Sequence, residues 1–248
     1  MTQTSREAVE NVIRGGRVER IPLVDFPWKD TLERWVAEGY PTQTVLQPDP
    51  DDPDAGPVTV EEPVSPVDHF GFDLTGIQGN KLDMMPLCGH SELVEENEQW
   101  SIKRNGAGAA LKYWKHKSGT PEHIDFRMTS REVWERDYRP HLLELDPKRL
   151  DVEQTRVNLD QRREQGLWTH YGQLFVWENM RQSMGDVCMY ESLALDPGWI
   201  HDYNRVYTDL YKAHYTYLFR EAGLPDGMWM YEDLGYKNGL FCSPKMLE

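Results

Sequence analysis

Apolar positions change their spacing several times along this chain, and each change marks an element. Ser5 with Glu7 to Ile13 reads as a first helix, stopped at Gly15-Gly16. Ile21 to Trp28 is extended and Thr31 to Glu38 is a short helix, so residues 1–45 form a helical start. Residues 47–66 hold six prolines and six acids, a composition that predicts an irregular surface loop. A short strand follows at Leu74 to Gln78. Between residues 91 and 130 the pattern becomes short alternating runs. With Asn105-Gly106 as a turn, these predict an antiparallel hairpin excursion. Ser130 to Leu143 returns to helix, Asp151 to Gly166 is a charged amphipathic helix, and Leu167 to Tyr171 is a second strand. Pro197 to Gly223 is a long helix in which Tyr203, Tyr207, Tyr211, Tyr215 and Phe219 recur every four residues. That spacing puts all of these rings on one face. Such a face packs on a sheet or a partner subunit, with a cofactor box as the lesser alternative.

The tail carries the densest signal. Met228 to Tyr231 are apolar or aromatic and suit a strand covered on both faces. Glu232 and Asp233 follow where that strand ends. Gly235 and Gly239 leave the next loop room to approach a ligand, and Ser243-Pro244 opens another helix. Acidic residues at the carboxyl end of a parallel strand are where α/β barrels keep their chemistry. Strand neighbours point to opposite faces, so Asp233 is expected to enter a pocket while Glu232 turns toward a neighbouring strand. Asp233 would then act as a general base or hydrogen-bond a reacting group; pairing with an arginine is the structural alternative. His170 and Tyr171, closing the second strand before Gly172, are candidate substrate contacts, against a buried core histidine. Arg181 on the following helix offers a guanidinium fork for a substrate carboxylate, against an ordinary helix salt bridge. Tyr236 and Lys237 are placed at the rim.

Composition narrows the function classes. The formal charge of −15 over 248 residues argues against a nucleic-acid partner, because phosphate binding needs clustered Lys and Arg. Cys88, Cys188 and Cys242 are widely spaced, which indicates neither a disulfide framework nor a zinc ribbon. No run of about 18 apolar residues is present, so a cytoplasmic location is expected and a membrane partner is not. The acidic run from Asp49 to Asp54 lacks the glycine turn and closing glutamate of a calcium loop and reads as a solvated loop.

The tail, "GLPDGMWMYEDLGYKNGLFCSPKM", resembles the corresponding stretch of the uroporphyrinogen decarboxylase superfamily, which includes corrinoid-linked methyltransferases. "GRVERIP" at Gly16 to Pro22 is similar to the family's opening, and "HFGFDLTGI" at His69 to Ile77 to the entry of its first barrel strand. "THYGQLFVWENMRQSMGDVCMYESLALDP" at Thr169 to Pro197 is similar to its glycine-plus-helix segment. The resemblance implies an α/β fold, a TIM-type (β/α)8 barrel with an amino-terminal helical and irregular segment over 1–66. The barrel proper would span 67–248, with the hairpin insertion at about 91–130. Family members are generally longer, so the barrel is expected to be incomplete at its carboxyl end, or Leu247-Glu248 to be a cloning remnant. Homodimers are implied as well.

The resemblance also bears on the reaction. The decarboxylases bind a polycarboxylate through an arginine-rich amino-terminal segment, where this chain offers only Arg34 and Lys29. They place an aspartate shortly after the first strand, where Asn80 falls here; an amide cannot carry the charge that would stabilise a cationic intermediate. The methyltransferase branch uses zinc to ionise a thiol, or passes methyl groups between a donor and a corrinoid protein. Its His-x-Cys zinc motif does not occur in this chain. Cys88-Gly89-His90 supplies two ligands, too few for a site, so no metal residue is assigned. Zinc and a corrinoid are implied by resemblance alone. The expected function is a one-carbon transferase acting on a small methylated substrate with a corrinoid partner. Asp233 and Glu232 would be its catalytic residues, and His170, Tyr171, Arg181, Asn80 and Tyr236 its substrate contacts. The alternatives are a decarboxylase of a porphyrinogen or other carboxylate, and an inactive paralogue or fragment with a binding role.

Overall fold

A computed structural model describes residues 3–47, 56–79 and 81–247. Two compact units make up the chain: residues 1–75, 116–119 and 166–168 form one, and the remaining residues the other.

In the first unit, helix α1 (Ser5–Ile13) opens on a capping box. The Thr4 hydroxyl accepts from the Glu7 N–H, and the Glu7 carboxylate accepts from the Thr4 N–H. Gly15, at φ 70°, ends the run. Helix α2 (Lys29–Ala37) is followed by strand β1 (Thr42–Gln47), which pairs antiparallel with β2 (Val58–Pro63). The expectation of an irregular loop over 47–66 therefore fails at its carboxyl half. Val58 and Val60 favour the pleat, while Pro63 faces Thr42 at the end of the ladder, where a missing N–H does least harm. The acidic run Asp49–Asp54 lies outside the described residues. Helix α3 (Pro66–Phe70) leads to Asp73, whose fully buried carboxylate is held by the Arg20 guanidinium and by the Leu23 N–H at 2.7 Å. Burial alone would raise this carboxyl, but those donors hold it below the ordinary aspartate value.

In the second unit, the expected hairpin insertion is a four-stranded antiparallel meander in sequential order. Its strands are β4 (Ser91–Glu96), β5 (Trp100–Asn105), β6 (Ala109–Trp114) and β7 (Glu122–Phe126). The short strand β3 (Leu74–Gly76) precedes them in the chain and begins in the first unit. The Asn105 side-chain oxygen accepts from the N–H groups of Ala107 and Ala109 and closes the predicted turn. Residues 131–142 form a short helix α4 (Arg131–Val133), a π turn and a 3-10 turn rather than one regular helix. Helix α5 (Val152–Glu164) is capped by Asp151 and followed by Gly166 at φ 73°. Strand β8 (Trp168–Leu174) precedes α6 (Val176–Leu195), α7 (Pro197–Ala222) and β9 (Gly227–Tyr231).

Strands β8 and β9 run parallel, with His170 opposite Gly227 and Leu174 opposite Tyr231. Strand β9 is not covered on both faces as expected, since Trp229, Met230 and Tyr231 are exposed. The core lies under α7. Trp134, Tyr203, Tyr207 and Tyr211 are buried, with Trp134 and Tyr203 ring centroids 4.8 Å apart and Tyr203 and Tyr207 4.6 Å apart. The aromatic stripe is thus a packing face. The chain is a mixed α/β protein whose described sheets are mostly antiparallel and do not close into a barrel. Among the described residues, no helix is long and apolar enough to cross a membrane.

Candidate functional site

The strand-end acids meet the start of α6. Register places Tyr231 beside Leu174, so Glu232 emerges next to the amino end of that helix. Phe175, at the helix N-cap, offers no side-chain acceptor. Glu232 takes that role from another element: its two carboxylate oxygens accept from the N–H groups of Trp177 at 3.0 Å and Glu178 at 2.8 Å. A carboxylate bridging exposed N–H groups complements the positive end of the helix. Burial nevertheless pushes the Glu232 carboxyl above the ordinary glutamate range, opposed by these two donors, while the Glu178 charge adds to the rise. Glu232 therefore points at a helix terminus, not at a neighbouring strand.

Asp233 approaches Arg181, with Oδ2 at 3.5 Å from Nη1. The same guanidinium has Glu178 Oε2 at 3.2 Å and Asp186 Oδ1 at 3.0 Å. Glu178 is 6% exposed and also accepts from Gln182 Nε2 at 3.0 Å. Burial would lower the pKa of Arg181, but the surrounding carboxylates hold it above its usual value. One face of Arg181 lies over Phe241, 5.6 Å from the ring centroid, and Phe241 stacks between Tyr190 and Tyr236. The loop expected between Gly235 and Gly239 is a tight hairpin, in which β10 (Gly235–Tyr236) pairs with β11 (Gly239–Leu240). Helix α8 (Pro244–Leu247) follows. Arg181, Asp233 and Tyr236 are thus brought into one cluster.

His170 and Tyr171 are not. Strand β8 continues through Gly172 to Leu174, so both residues sit within the strand and short of its carboxyl end. Gly172 is closely approached: an added Cβ would lie 3.1 Å from Gln78 Nε2, which donates to the Gly172 carbonyl and would have to shift by a few tenths of an ångström. His170 is buried with its ring 5.5 Å from that of Trp229, and burial lowers its pKa. Tyr171 points to the other face, into the core, between Tyr215 and Phe219 of α7. Burial drives its phenol well above the ordinary value. Asn80 lies outside the described residues.

Glu178, Asp186, Tyr190 and Phe241 are cluster members that sequence reading missed. Glu178 and Arg181 are three apart on a helix, a spacing that would have flagged the pair. No local pattern announces Phe241. Metal chemistry finds no support in the donor set: among the described residues, no group of three or more His, Cys, Asp or Glu side chains is arranged to hold a metal ion. Around Cys88-Gly89-His90, the Asp83 carboxylate accepts from the Gly89 N–H, and Arg149 is taken up by the carbonyls of Asp83, Met85, Pro86 and His141.

The fold and the cluster together define an α/β chain with an ion-rich site at the carboxyl ends of two parallel strands. No protein-family model, no curated protein and no solved structure matches this chain.

Proposed function

We propose that this chain is an enzyme of the uroporphyrinogen decarboxylase kind, working as a one-carbon transferase at the carboxyl ends of β8 and β9. In this reading β8, α6, α7 and β9 are part of a (β/α)8 barrel, and the methyl group of a small substrate passes to a corrinoid on a partner protein. The observation that carries it is the state of Arg181. Its Nη1 faces Glu178 and Asp233 and its Nε faces Asp186, which disfavours a bidentate substrate carboxylate. The cluster has surplus negative charge and would repel a polycarboxylate. A neutral or cationic methylated substrate fits it better than a porphyrinogen bearing acid side chains.

In this reading the roles are divided as the geometry suits them. Asp233, held by Arg181, orients the substrate by accepting a hydrogen bond. Glu232 fixes the strand end against α6 and acts as a positioning residue. When the methyl group leaves, its former heteroatom keeps the bonding electron pair and takes a proton from solvent or from a neighbouring acid. Zinc activation of a thiol is not part of this proposal, because the described residues do not supply a ligand set for it.

The test is direct. The purified chain is incubated with cob(I)alamin and a panel of methylated amines, thioethers and phenyl methyl ethers, and methylcobalamin formation is followed by visible absorption. Turnover of one substrate class that is lost in Asp233→Asn supports the proposal. Corrinoid-independent release of carbon dioxide from a carboxylate substrate would overturn it in favour of the decarboxylase.

A further inference from the structure

Next to the strand-end cluster, with which it shares Asp186, the second unit carries a groove of about 650 Å³ between β7 and the carboxyl half of α6. Gly185 makes it. At φ 78° and ψ 161° this residue breaks the helix, and an added Cβ would lie 2.6 Å from the Phe126 ring. Only glycine tolerates both the dihedrals and the contact. Beyond the break, residues 187, 191 and 195 share one helical stripe. Val187 is 71% exposed and Leu195 82%, while Ile124 on β7 is 49% exposed. These apolar side chains line the groove together with Asp125, Asp186, Glu191 and Asp196.

The rim keeps a surplus of negative charge despite its ion pairs. Arg104 divides itself between Asp125 and Glu92, Arg131 between Asp196 and Glu135, and Arg181 among Asp186, Glu178 and Asp233. An apolar floor with an acidic rim is complementary to an amphipathic segment whose polar edge carries Lys and Arg. A second copy of this chain is a poor occupant, since two chains of formal charge −15 would meet across an acidic surface.

We infer that the groove between β7 and the carboxyl half of α6 docks a basic amphipathic helix of a partner protein. Val187, Leu195 and Ile124 supply its apolar floor, and the four acids beside them its charged rim. This inference does not rest on the transfer reaction proposed above, although Asp186 stands at the edge of both sites.

The experiment uses the full chain and two fluorescein-labelled peptides, one a Lys/Leu amphipathic helix and the other its Glu/Leu counterpart, read by fluorescence anisotropy. The Lys/Leu peptide is expected to bind and the Glu/Leu peptide not to. The double variant Val187→Lys with Leu195→Lys should weaken binding by about tenfold or more. A charge-matched control, Ile21→Lys with Leu46→Lys, alters side chains that are also exposed, at 78% and 71%, and should change affinity by less than about twofold. Unchanged far-UV dichroism and thermal midpoint establish that each variant is folded. Equal weakening by both double variants would reduce the effect to bulk charge and overturn the inference, as would no binding of the basic peptide. Self-association abolished by the groove variant in sedimentation would overturn it too, by assigning the face to a second copy.

Discussion

The ring stack of α7 and the acidic turn after β9 lie in the same unit and are built on opposite principles. In α7, stability comes from area and fit. Tyr203 and Tyr207 are fully buried, and the stack runs on through Tyr211, Tyr215 and Phe219 at centroid spacings of 6.0, 5.8 and 5.7 Å. At the turn, four carboxylates crowd one guanidinium and one helix terminus. Apolar contacts add with little regard to direction, whereas burying charge is favourable only when every charge finds a partner. A region of the second kind, retained beside a well-packed core, is where chemistry is to be sought.

The largest effect is expected at Tyr203. Tyr203→Ala should cost about 3–5 kcal/mol in urea unfolding, since it empties a site against Trp134 and Tyr207 that cannot collapse. Tyr203→Phe removes the hydrogen bond to Ser183 Oγ at 3.2 Å and the hydroxyl's interaction with Tyr207, and should cost about 1 kcal/mol. A loss below about 1.5 kcal/mol for the alanine variant would mean that the stripe is not the core.

Gly185→Ala comes next. It forces a side chain into backbone dihedrals that suit glycine and into the Phe126 ring, so about 2–4 kcal/mol should be lost. Adding Phe126→Leu should recover the clash component and leave the backbone component. Full recovery would show that the dihedrals carry no strain.

These two sites also show what the sequence can convey. The four-residue spacing of rings from Tyr203 to Phe219 announces a buried helical face without any knowledge of its partner, because periodicity is a property of the chain itself. The Asn105-Gly106 turn and the capped start of α5 are legible for the same reason: each is decided within a few residues. Gly185 inside a helical pattern is ambiguous, since its reason lies on β7, about sixty residues away. The strand-end position of Glu232 and Asp233 is legible, but the direction of Glu232 is not. Its partners, the N–H groups of Trp177 and Glu178, are backbone atoms and leave no mark in the sequence. Gly172 reads as a stop and so draws His170 and Tyr171 to a strand end; pairing with β9 carries the strand on through Leu174 and makes it a mid-strand glycine instead.

Glu232→Ala should cost about 1 kcal/mol through loss of the helix cap. The pH dependence has a definite sign. The folded carboxyl lies above the ordinary value of 4.5, so the folded chain holds that proton more tightly than the unfolded one. The contribution is complete below 4.5 and is lost as pH rises through the folded value. Glu232→Gln keeps an acceptor for the helix but cannot ionise. Its stability relative to the parent should therefore improve across that window, and a constant difference from pH 4 to 7, roughly, would refute the raised carboxyl.

The smallest effect on stability, and the most informative, is expected at Asp233. Its carboxylate is 42% exposed and stands 3.5 Å from Arg181, which keeps Glu178 and Asp186 at shorter distances when Asp233 is replaced. Asp233→Asn is nearly the same size and should shift stability by less than about 0.5 kcal/mol. If the residue only completes an ion pair, nothing else should change. If it orients a substrate, kcat for methyl transfer should fall by about a hundredfold or more while the unfolding curve stays in place. Arg181→Lys separates the two roles further. Lysine keeps the charge but loses the planar fork, so it should disturb the placing of Asp233 and lower kcat less than Asp233→Asn does. A stability loss at Asp233 comparable to that at Glu232, with turnover intact, would make the acidic turn a structural cap throughout and remove the contrast with the tyrosine stack.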